Sequence, residues 1–145
     1  METLISIDCY QGAYGPTIRM GIQAAEGLVA LRHLLRGLAA GSTHACDVRE
    51  LPFVQLIGMH GLVLRSVHEN RRKTVELERR KDGTSVFHWS NSLEGWNHCA
   101  GLVDGITGTI PSHQYLSQEG IDDALIVVAY REETPTQISP ISPTP

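Results

Sequence analysis

The chain is poor in the patterns that usually announce chemistry. Only three cysteines, Cys9, Cys46 and Cys99, occur among 145 residues, and no two stand as Cys-x-x-Cys. An odd number at wide spacing argues against a disulfide framework and for buried, reduced thiols of a cytoplasmic protein. Basic surplus is missing too: 12 Lys and Arg stand against 16 Asp and Glu, a net charge of −4. A nucleic-acid binder neutralises phosphates with cations, so no nucleic-acid partner is expected. No apolar run approaches the roughly 20 residues of a membrane helix, so no membrane is expected. The opening Met1-Glu2-Thr3-Leu4 is acidic and the first apolar run stops at Asp8, unlike a signal peptide.

Seven histidines are present, yet their spacing offers no metal. There is no His-Glu-x-x-His and no His-x-His, and His44 with Cys46, or His98 with Cys99, makes only half a site. No Gly-x-Ser-x-Gly elbow and no P-loop lysine occur, so no catalytic residue, metal or cofactor is assigned.

What is present is ordinary globular material, 41% hydrophobic, in one α+β domain over residues 1–133. A mostly antiparallel sheet with two helices packed on it is expected. Leu4 to Asp8 reads as a strand. A first helix is expected from Thr17 to Leu38, because Ala24, Leu28, Leu31, Leu35 and Leu38 recur at three and four, opposite Arg19, Gln23, Glu26 and His33. Val54–Ile57 and Leu62–Val67 read as strands, with a short edge piece near Asp47–Leu51. Thr74–Arg80 and Ser85–Trp89 alternate around Asp82-Gly83 and form a hairpin. A three-residue loop pairs Leu77 with Phe87 and Val75 with Trp89, keeping all four on one face, whereas a two-residue loop splits them. Gly83 is then left-handed. A second helix begins at Asn91 or Ser92 and ends at Gly105. Ile106–Gln118 reads as a loop, and Ala124–Tyr130 as a strand covered on both faces. Residues 134–145, rich in Pro, Ser and Thr, are expected to be a disordered tail. No internal repeat is visible.

Two segments could carry function. The first is Tyr10 to Thr17, read as strand, glycine-rich loop and helix start. Tyr10, Gly12, Tyr14, Gly15 and Thr17 could hold a small ligand or nucleotide there, since helix N-termini present free amides. The second is the His113-Gln114-Tyr115-Leu116 stretch with Asp122 and Asp123. A small enzyme built on Asp8, Cys9 and His113 is a further alternative, which would require the three to share one pocket.

A resemblance joins several of these pieces. Ser92-Leu93-Glu94-Gly95-Trp96, Gly101 to Gly105, His113 to Leu116 and Asp122 to Val128 together resemble the C-terminal half of small bacterial immunity proteins from polymorphic toxin systems. The resemblance implies a cytoplasmic inhibitor that binds a toxin domain and does no chemistry. On that reading Glu94, Asp104, Tyr115, Asp122 and Asp123 are the expected partner contacts. A basic toxin domain would suit an acidic binder.

Overall fold

The computed structural model describes residues 3–13, 15–68, 74–106, 112–117 and 124–130. The strands are β1 (Ile5–Gly12), β2 (Gly15–Ile22), β3 (Ala45–Asp47), β4 (Val54–Ile57), β5 (Gly61–Ser66), β6 (Thr74–Arg79), β7 (Ser85–Asn91), β8 (Ser112–Tyr115) and β9 (Leu125–Tyr130). The helices are α1 (Ala25–Ala40) and α2 (Leu93–Asp104), with a 3-10 turn at Val48–Glu50. One sheet has the order β4-β1-β2-β9-β8 and the other β3-β5-β7-β6. The α+β class stands, but "mostly antiparallel" does not. β1 runs parallel to β4, β2 to β9 and β5 to β7.

The largest departure from the sequence reading is at Thr17–Ile22, which is strand and not helix. Ile18, Met20 and Ile22 are buried while Arg19 is exposed, the period of two that a half-buried strand requires. Ile18 and Ile22 also satisfy the i, i+4 spacing of a helix, so the two periods coincide there. The helix begins only at Ala25 and buries Leu28, Leu31, Leu35 and Leu38. It ends at Gly41, left-handed at φ 79°, whose N–H bonds the Leu38 carbonyl.

The β6–β7 hairpin keeps the expected register. Val75 lies opposite Trp89 and Leu77 opposite Phe87, and Gly83 has φ 89°. The second helix is capped by Ser92, whose Oγ accepts from the Gly95 N–H at 3.0 Å. β8 forms inside the expected loop, and β3 and β6 are edges of their sheet. The 134–145 tail lies outside the described residues.

A repeat does exist, in topology. β1-β2-α1 is followed by the antiparallel pair β3/β5, and β6-β7-α2 by the antiparallel pair β8/β9. Each final pair joins the other repeat's hairpin, giving the matched orders β1-β2-β9-β8 and β6-β7-β5-β3. β4 has no counterpart among the described residues. Matched positions share burial: Ile7 with Val75, Ile18 with Phe87, Met20 with Trp89, Ile126 with Leu62 and Val128 with Leu64. Together with the leucines of α1 and with Trp96, Cys99 and Val103 of α2, these form one contiguous core. Trp96 is fully buried, meets Trp89 edge-on at 4.7 Å, and donates its indole N–H to the Arg65 carbonyl at 3.0 Å.

Each helix carries a glycine one turn in, Gly27 and Gly95, both after a glutamate. A Cβ on Gly27 would stand 2.7 Å from the Leu4 carbonyl oxygen. That oxygen cannot retreat: it accepts from Gln23 N–H, while the Leu4 N–H bonds Phe53. Gly101, also helical, has open space where its Cβ would be. Gly27→Ala is therefore expected to cost about 1–3 kcal/mol through overpacking, although alanine is the better helix former. Gly101→Ala should add about 0.5–1 kcal/mol by the same propensity. Urea denaturation midpoints of the two variants check the contrast.

Candidate functional site

The outer face of the five-stranded sheet can be written from its registers. Asp8 pairs with Ile57 on one side and Arg19 on the other; Arg19 pairs with Val127, and Val127 with Tyr115. Ile57, Asp8, Arg19, Val127 and Tyr115 thus form a straight row, one residue per strand, about 19 Å across. Tyr10 lies on the same face beside Asp8, because residues two apart on a strand share a side. Ile57 is 48% exposed, and Tyr10 and Tyr115 are each 40% exposed. Val127 and Leu125 are buried between them.

The centre of the row is fixed electrostatically. Arg19 donates from Nε and Nη2 to the two carboxylate oxygens of Asp8, at 3.2 and 2.8 Å, a bidentate pair. Its guanidinium sits 5.2 Å from the centre of the Tyr10 ring. At the far edge His113 and Tyr115 meet edge-on at 6.0 Å. The face is therefore aromatic and aliphatic around one self-neutralised ion pair.

The sequence-derived partner contacts do not converge. Glu94 is exposed on the first turn of α2, and Tyr115 points outward from the sheet. Asp104 is already engaged: Arg32 Nε approaches its carboxylate at 2.6 Å and Arg36 bonds the other oxygen. Those two guanidiniums offset a carboxylate at the negative end of a helix, so Asp104 serves the α1–α2 contact. Asp122, Asp123 and Tyr14 lie outside the described residues.

The ligand-loop residues fall in a different setting from the one expected. Gly12 and Gly15 are paired at the tip of the β1–β2 hairpin, with Gly15 at φ 108°. Thr17 lies in β2 and starts no helix, so the helix-start amides on which the ligand reading rested do not form at Thr17. Thr17 is buried with its hydroxyl donating to the Gly15 carbonyl at 3.1 Å, and a Cβ on Gly12 would press on that hydroxyl. Tyr10 alone of the described group presents an exposed ring.

Nor do Asp8, Cys9 and His113 share a pocket. Asp8 faces outward to Arg19, Cys9 packs inward against the core, and His113 lies three strands away. Burial, reinforced by Asp8, pushes the Cys9 thiol pKa up, and burial with Asp47 and Glu50 does the same to Cys46. Both stay protonated more readily than a free thiol, the opposite of an activated nucleophile. Among the described residues, no three His, Cys, Asp or Glu side chains are grouped to hold a metal ion. Among the same residues no helix is long and apolar enough to cross a membrane. The chain matches no protein-family model, no curated protein and no solved structure.

The outer face of the four-stranded sheet provides an internal comparison. Carrying one repeat onto the other places Arg19 on His88, Tyr10 on Glu78 and Tyr115 on Asp47. The positions that are exposed and aromatic in one sheet are carboxylates in the other. Sequence reasoning missed Arg19 and Ile57 because it placed the first in a helix and assigned no face to the strand that holds the second. The outward phase of the β2 alternation was the available signal.

Two outcomes follow. Asp104→Ala should lower stability by about 0.5–1 kcal/mol, the worth of a half-exposed ion-pair cluster, in a denaturation experiment. Glu78 accepts from His88 at 2.8 Å, and that bond, helped by Arg80, holds its carboxyl below the usual range. A group whose pKa is depressed on folding stabilises the fold above its unfolded pKa. It loses that contribution as pH falls through the folded value. The stability gap between wild type and Glu78→Gln should be largest at neutral pH and close in acid, as read by denaturation between pH 7 and pH 3.

Proposed function

We propose that the protein is a non-catalytic binding protein that neutralises a toxin domain by direct contact through the outer face of the five-stranded sheet. The toxin class comes from the resemblance of the second half of the chain to immunity proteins. One observation carries the choice of face. Tyr10, Tyr115 and Ile57 stand exposed around Arg19, while the matched positions of the other sheet hold Glu78 and Asp47. The carboxylates have local reasons, since Glu78 lies on an edge strand and Asp47 accepts from the Arg49 N–H, so the weight of the contrast falls on the two tyrosines that stand exposed beside Arg19.

Contact is the chemistry this face offers. Tyrosine and arginine dominate the energetic centres of protein interfaces, because they bury large area at low entropic cost and keep a polar end. The Asp8–Arg19 pair pre-positions the guanidinium and the Tyr10 ring before a partner arrives, which lowers the ordering cost of binding. The net acidity of the chain adds favourable steering toward a basic toxin domain and little direct affinity.

The test is co-expression with the gene immediately upstream in the native operon, followed by binding of the two purified proteins. Wild type should restore growth and bind. Tyr10→Ala and Tyr115→Ala should each weaken affinity by about 30-fold, roughly 2 kcal/mol, while Glu76→Ala on the other sheet leaves it unchanged. A harmless upstream gene product, or full-strength binding by a folded double tyrosine variant, overturns the reading.

A further inference from the structure

We infer that the two repeats can exchange between two copies of the chain, so that the seam inside the domain also fits a second copy. The contacts that join the repeats are isologous. β2 of the first repeat meets β9 of the second, and β7 of the second meets β5 of the first. Both seams are parallel and each carries six residue pairs. Between them α1 packs on its own counterpart α2, tied by Arg32 and Arg36 to Asp104, and Trp96 reaches across to the Arg65 carbonyl. Mutual contact of like elements about a pseudo-two-fold is the arrangement of a closed symmetric dimer. Here it is made within one chain.

Every one of those contacts is non-covalent. The single covalent connection between the repeats runs from Val67 to Thr74. If the first repeat of one copy takes the second repeat of another, each seam re-forms with the same partners, and only the path of the link changes. The length of the link therefore decides between the one-chain and the two-chain form. β5 and β6 flank β7 on opposite sides, about 10 Å apart. Deleting Asn70 to Lys73 leaves only His68 and Glu69 between Val67 and Thr74. Three Cα steps, about 11 Å fully extended, are then all that remains to cross from β5 to β6.

The deletion variant should elute in light-scattering chromatography at twice the mass of the wild type, with the near-ultraviolet signature of the Trp89–Trp96 pair retained. A folded variant of single-chain mass overturns the proposal. Should the deletion fail to fold, the full-length protein decides. A protease site is placed between Glu69 and Asn70, the chain is cut, and light and isotopically heavy cut samples are mixed after brief urea treatment. Light–heavy hybrids of single-chain mass in native mass spectrometry support exchange. Halves that separate, or that never form hybrids, overturn it.

Discussion

The structure depends on two parallel strand seams that join one half of the chain to the other. β2 needs β9, with Ile18 pairing Ile126 across most of the chain, and β5 needs β7, with Leu62 pairing Phe87 across β6. Until both seams close, neither sheet is complete, and the leucine stripe of α1 and the Trp96 stripe of α2 have no common surface to cover. Trp96 is where the constraint is tightest. Its indole packs on Trp89 while its N–H satisfies a β5 carbonyl, so one side chain reads helix position, sheet register and strand end together. Non-local closure of this kind makes folding slow relative to helical domains of similar size.

What was legible in the sequence was local. The β6–β7 register followed from alternation and a Gly at the turn, because a one-residue slip would expose Trp89 and Phe87. The start of α2 at Asn91 or Ser92 and its end at Gly105 followed from helix chemistry. What failed was a coincidence of periods: Ile18 and Ile22 fit a helix as well as a strand, and the leucine run that follows drew the boundary from Ala25 back to Thr17. Moving that boundary turned a supposed helix N-terminus into a hairpin tip. It also placed Arg19 at the centre of a sheet face. The repeat was hidden for another reason. Its halves share burial but little identity, with Glu26-Gly27-Leu28 and Glu94-Gly95-Trp96 as the visible trace. Sequence cannot show that each half completes the other's sheet.

The repeat turns into an argument about function because it supplies its own control. Matched positions share strand direction and register, so a difference that local structure does not require points outside the fold. Glu78 on an edge strand and Asp47 capping Arg49 have local reasons for their charge, which leaves the tyrosines as the informative members. Tyr10 against Glu78 and Tyr115 against Asp47 differ toward the residues that interfaces favour. The outward face of the other sheet, with Glu76, Glu78 and His88, keeps the charged surface that guards an exposed edge strand.

The most direct test of the account is hydroxyl-radical footprinting of the protein alone and with the product of its upstream gene. It reports side-chain exposure residue by residue. The account predicts that Tyr10, Ile57 and Tyr115 become protected together while His88 on the other sheet stays as reactive as before. Protection of His88 with Tyr10 and Tyr115 unchanged would place the partner on the wrong face and contradict it.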